Sequence, residues 1–170
     1  MVVHFTNKLR EKLDLGEVTM TPVAAGVHLR WYANLFRADR LQYILTTNAA
    51  SLYSVVMFGR GITDSDLYIR HFLVALREQL EGANMQMIYK RCIAPYTGTI
   101  TLAKTEDRSV LGSMNDMVKH SKHRLERGEV SPWELGEWIN NTPFGALGYR
   151  YPRDVFAQLP PEKGTERRAD

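Results

Sequence analysis

The chain has 170 residues, of which 44% are hydrophobic and 24% charged. That balance is ordinary for a globular protein and excludes a chain that is disordered throughout. No apolar run approaches the roughly 20 residues of a membrane-spanning helix, so no membrane association is expected. The single cysteine, Cys92, rules out an internal disulfide and a cysteine-based zinc site. The net charge of +3 comes from 22 basic and 19 acidic side chains, too small an excess to mark a nucleic-acid binder unless the cations gather on one face.

The first ten residues put charge where a signal peptide needs its apolar segment, so the expected location is the cytoplasm. Residues 6–13 read as a short helix and 17–23 as a candidate strand. Val27, Leu29, Trp31, Ala33 and Leu35 then alternate with His28, Arg30, Tyr32 and Asn34. This is the period of a half-buried strand, with Trp31 on the core side and Asn34 on the other. Residues 37–40 supply a turn, 41–46 a returning strand, 48–51 a second break and 52–57 a third strand, ended by Gly59-Arg60-Gly61. Residues 97–103 add a fourth, giving an antiparallel meander of about four strands.

The second half is helical. Thr63 followed by Asp66 resembles a capping box, and Ile69, Phe72, Leu73, Leu76 and Leu80 behind it follow helical spacing up to Gly82. A second helix is expected over 107–127, stopped by Gly128. Ser131, Pro132 and Glu134 mark the start of a third, and Pro152 opens a last short one that ends before Pro160. The polar stretch 160–170 reads as a disordered tail. Strands followed by helices predict one α+β domain over 1–159, its sheet packed against three to five helices.

On the helix over 107–127, Val110, Leu111, Met114, Met117, Val118 and Leu125 form an apolar stripe. Ser109, Gly112, Ser113, Asp116, His120 and His123 fall opposite. Asp116, His120 and His123 are spaced i, i+4 and i+7, so one carboxylate and two imidazoles share a side, a set that suits a divalent metal. Without metal, His120 reads as a general base held by Asp116. The plainer reading is a solvated face. Gly112 with Ser109 and Ser113 makes a small-residue patch open to close approach. Lys119, Lys122, Arg124 and Arg127 gather the basic excess of this region. Tyr149, Arg150, Tyr151 and Arg153 lie in an expected loop, where they would stack on bases and pair with phosphates or simply fill the edge of the core. No phosphate-binding glycine loop, nucleophile elbow or His-Glu-x-x-His pattern occurs.

Several of these runs together resemble a known family. They are Trp31-Tyr-Ala-Asn-Leu, the Arg37…Arg40 turn, Leu45-Thr-Thr-Asn48 with Leu52-Tyr-Ser54, Asp107-Arg-Ser-Val-Leu-Gly-Ser-Met-Asn-Asp116 and Ala146-Leu-Gly-Tyr-Arg-Tyr-Pro152. The family is an uncharacterised set of small bacterial proteins classed as a domain of unknown function. The resemblance extends over 29–158 and is most specific in residues 108–116. It implies a single bacterial-type cytoplasmic domain and carries no activity to any residue.

Two functions are expected. The favoured one is a binding module for nucleic acid, another polyanion or a protein partner. Lys119, Lys122, Arg124, Arg127, Arg150 and Arg153 would supply its charge, and Tyr149 and Tyr151 its stacking. The alternative is a small hydrolase, a nuclease, centred on Asp116, His120 and His123 with Arg108 or Arg150 as phosphate clamp. The module is favoured because no catalytic set is complete, and the only cofactor indicated is the divalent metal that the Asp116 face would take.

Overall fold

A computed structural model describes residues 1–16, 25–128 and 130–161. The candidate strand over 17–23 and residues 162–170 of the expected tail lie outside the described residues. Strands β1 (Val2–Phe5), β2 (Arg30–Ala38), β3 (Leu41–Asn48), β4 (Ser54–Phe58) and β5 (Thr101–Lys104) form one sheet in the order β4-β3-β2-β1-β5. The three meander strands pair antiparallel as expected. The fourth does not extend them, because β5 lies across the sheet and pairs parallel with β1, which is itself parallel to β2. The sheet is therefore mixed.

β1 carries no alternation in the sequence because all four of its residues are buried. A strand paired on both edges and covered on both faces reads as a continuous apolar run. The β2–β3 turn is tighter than expected. It is made by Asp39 and Arg40, both at positive φ (41° and 65°), which matches the right-handed twist of the paired strands.

Helices cover both faces, giving an α+β architecture. α1 (Asn7–Lys12) follows β1, and α2 (Ser65–Gly82) follows β4. A short α3 (Gln86–Ile88) continues into a π-helical turn that holds half-buried Cys92. Then come α4 (Arg108–Glu126), α5 (Pro132–Asn140) and α6 (Pro152–Ala157). Val3, Phe5, Trp31, Ala33, Val55 and Met57 face Phe72, Leu76 and Leu80 of α2 and Phe156 of α6. Tyr32, Phe36, Leu45 and Val56 face Val110, Met114 and Met117 of α4 and Leu135 and Ile139 of α5. The period-two alternation of the strands divides the two cores. Each fully buried apolar side chain contributes roughly 1.5–3 kcal/mol.

The helix starts show how local chemistry sets the boundaries. At α5 the capping box is complete, with the Glu134 N–H donating to Ser131 Oγ at 3.2 Å and the Ser131 N–H to Glu134 Oε2 at 2.7 Å. At α2 the expected Thr63–Asp66 box is replaced by Asp64, whose carboxylate accepts from the Leu67 N–H at 2.9 Å. Thr63 instead donates its hydroxyl to Asp64. Among the described residues no helix is long and apolar enough to cross a membrane.

Candidate functional site

α4 lays its apolar stripe on β2 and β3, with Val110, Met114, Met117, Ser121 and Leu125 buried. That orientation turns Asp116, His120 and His123 into solvent. Neither a hydrogen bond nor an ion pair joins Asp116 to His120. Among the described residues no three His, Cys, Asp or Glu side chains come together in a way that could hold a metal. Arg108 is exposed on the first turn of the same helix. Gly112 is also open: a Cβ there would meet nothing within 4 Å. No described part of the chain therefore packs closely against the small-residue patch.

The expected binding residues divide. The Arg124 guanidinium lies 4.7 Å from the centre of the Trp138 ring and ties α4 to α5 by a cation–π contact. Arg150 donates to the Gln158 side chain. Arg153 donates to Asn141 Oδ1 at 2.9 Å and sits 3.8 Å from Asp154. These three arginines brace the C-terminal helices. Tyr149 is 80% exposed and Tyr151 44%. The loop that carries them is anchored by α6, whose Phe156 packs on Trp31 in the first half of β2, on His28 just before it and on Tyr53 just before β4.

A cleft opens at the other half of β2. β1 stops at Phe5, opposite Ala33, while β2 runs on to Ala38. The chain leaves the sheet there as α1, so on its β1 side this stretch of β2, still paired with β3 on the other, has no strand among the described residues. The resulting space of about 710 Å³ is bounded by α1, β2, the start of β3 and α4. Among the described residues, Lys8, Arg37 and Lys122 bring positive charge to its wall against one carboxylate, Glu11. Asn34 accepts from the Thr6 hydroxyl through Oδ1 at 3.1 Å, and Gln42 accepts from Lys12 Nζ through Oε1 at 2.9 Å. Each amide oxygen thus holds one donor, and the amide N–H groups have no hydrogen-bond partner among the described residues. Asn7 and Asn115 add to the same lining. Lys119 is exposed one helical turn from both Asn115 and Lys122.

Beside the cleft, His4 stacks on Tyr32 with ring centres 4.5 Å apart and places Nδ1 2.7 Å from the Lys104 carbonyl. Burial pushes the Tyr32 phenol above its ordinary pKa, the nearby carboxylates Glu106 and Asp107 adding to the effect.

Of the polar cleft residues, only Asn34, Arg37 and Lys122 stand out in the sequence. The others come mainly from residues 6–11, whose only signal is a short polar helix following the apolar run Val-Val-His-Phe.

The model of the domain of unknown function DUF6933 matches residues 2–155. The chain belongs to the DUF6933 family. The match extends beyond the 29–158 resemblance at its N-terminal end, so the DUF6933 domain includes β1, α1 and with them one whole wall of the cleft. No curated protein matches this chain.

Proposed function

We propose that this DUF6933 domain is a non-catalytic binding module for a polyanion, with single-stranded nucleic acid as the partner class, held in the cleft between α1, β2 and α4. The observation that supports this reading is the composition of that cleft. Among the described residues three cations oppose one carboxylate, and four amide side chains line a space of about 710 Å³. A volume of this size accommodates one or two nucleotides. Phosphates would pair with Lys8, Arg37 and Lys122, and the amides would read base or sugar edges. Lys119 extends the positive charge along α4. Hydrolysis at Asp116 and His120 draws no support from side chains that stand exposed with no hydrogen bond between them.

The test is fluorescence anisotropy with labelled single-stranded RNA and DNA oligonucleotides between about 50 and about 200 mM salt. Binding is expected to weaken linearly on a log–log plot. The Lys8→Glu/Lys122→Glu double variant is expected to lose about tenfold or more in affinity and to show a shallower salt slope, since each phosphate contact contributes roughly one unit of slope. Arg150→Ala should leave binding unchanged. Undetectable or salt-independent binding by the unaltered chain would reject the reading.

A further inference from the structure

The outer edge of β4 is a second site of different character. In an antiparallel pair, successive residues direct their backbone groups alternately toward and away from the partner strand. The Tyr53 carbonyl accepts from the Asn48 N–H at 2.8 Å, and the Gly59 N–H donates to the Gln42 carbonyl at 2.7 Å. Odd-numbered residues of β4 therefore face β3, and Ser54, Val56 and Phe58 turn their N–H and C=O groups outward. The pair on Ser54 is occupied by the Asn140 side chain. For Val56 and Phe58 no hydrogen-bond partner is found among the described residues.

These two residues border a groove of about 400 Å³ between α2 and the start of α5. Its apolar surface is Phe58, Val74 and Trp133, exposed by 52%, 47% and 44%. Arg60 and His71 stand in its lining and Arg70 beside it, against one carboxylate among the described residues, Glu78. β4 itself, Ser-Val-Val-Met-Phe, has none of the lysines or prolines that commonly guard a free edge.

We propose that this groove binds an extended segment of a partner protein, which adds to β4 as a sixth strand. Its main chain pairs with Val56 and Phe58, an apolar side chain lies between Val74 and Trp133, and an acidic side chain meets Arg60 and Arg70. Main-chain pairing accounts for the extended conformation, and the cationic excess accounts for the acidic residue. Asn140 blocks the edge at Ser54 and so fixes where the added strand ends. A second copy of the chain fits less well, since its own α2 and α5 would have to enter a groove with walls on both sides.

Random linear heptapeptides displayed on phage would be panned against the full chain, and the strongest binder synthesised for titration by ¹⁵N NMR. The expected peptides alternate apolar residues with an acidic one and shift the amide signals of Val56 and Phe58. Val74→Glu and Arg60→Glu, both at exposed positions, should each weaken binding about tenfold while leaving the thermal transition in place. Failure to enrich any peptide, or shifts confined to other amides, would overturn the proposal. Protection of the Val56 and Phe58 amides that appears only as the free chain dimerises would also overturn it, in favour of a second copy.

Discussion

The side-chain amide of Asn140 hydrogen-bonds both backbone groups of Ser54, Oδ1 accepting from the N–H at 2.7 Å and Nδ2 donating to the C=O at 2.9 Å. Both residues are buried. The last residue of α5 thus does for the end of β4 what a neighbouring strand would do, and it fastens the helix to the sheet. Asn140→Ala removes two bonds and leaves a donor and an acceptor without water. It is expected to destabilise the fold by about 3 kcal/mol, measured by urea unfolding. Asn140→Asp should also destabilise, because a carboxylate accepts from the N–H but faces the Ser54 carbonyl without a proton to offer.

The same substitution at two helical glycines is expected to act with opposite signs. At Gly136 a Cβ would lie 2.7 Å from Gln79 Oε1. Gln79 is buried and already donates to Glu137 Oε1 at 2.6 Å. Gly136→Ala must push that amide aside, and should cost about 1–3 kcal/mol despite the gain in helix propensity. At Gly112 the space is open, so Gly112→Ala gains about 1 kcal/mol from propensity alone. Thermal unfolding of the two variants decides both.

These contrasts show which signals the sequence carries. The α5 start was legible because Ser131, Pro132 and Glu134 act within one turn, and the burial of Trp31 because alternation is a local pattern. The α2 cap moved from Thr63 to Asp64 because two adjacent residues both have acceptor side chains and only backbone geometry selects one. β1 was invisible for a different reason. Its pairing joins residues 2–5 to 30–33 and to 101–104, and no local pattern encodes that. The cleft inherits the same difficulty, since Thr6, Asn34 and Lys122 meet only after β1 has entered the sheet. Arg124, Arg150 and Arg153 advertised charge, whereas their partners Trp138, Gln158 and Asn141 appear only in the fold.

Tyr53 and Tyr68 are expected to make the fold sensitive to alkali. Burial pushes both phenols well above the ordinary tyrosine range, with the Glu137 carboxylate adding to the effect at Tyr53. A folded-state pKa raised in this way leaves stability intact below the unfolded value of about 10 and removes it as pH rises beyond that point. Urea midpoints should therefore be flat through neutral pH and fall above pH about 10. The two sites separate by substitution. The Tyr68 hydroxyl shares a 2.9 Å hydrogen bond with Thr46 Oγ1, and Tyr68→Phe should cost about 1 kcal/mol. The Tyr53 hydroxyl is buried without a partner among the described residues, so Tyr53→Phe should be neutral or stabilising and should soften the alkaline loss.

Tyr149 holds a left-handed backbone, φ 62°, while its ring is 80% exposed. For a residue with a Cβ that conformation costs roughly 1–2 kcal/mol, and an exposed ring recovers little of it by packing. Tyr149→Gly is expected to raise stability by about 1 kcal/mol, while Tyr149→Ala keeps the strain and gains nothing. Strained residues persist where something other than stability retains them, so the two variants also belong in the anisotropy experiment. If Tyr149→Gly is more stable and loses oligonucleotide affinity together with Tyr149→Ala, the ring stacks on the partner, and the binding surface continues beyond the cleft to this loop. If Tyr149→Gly is less stable than the parent chain, the ring packs in solution against its own loop, and the left-handed turn is structural.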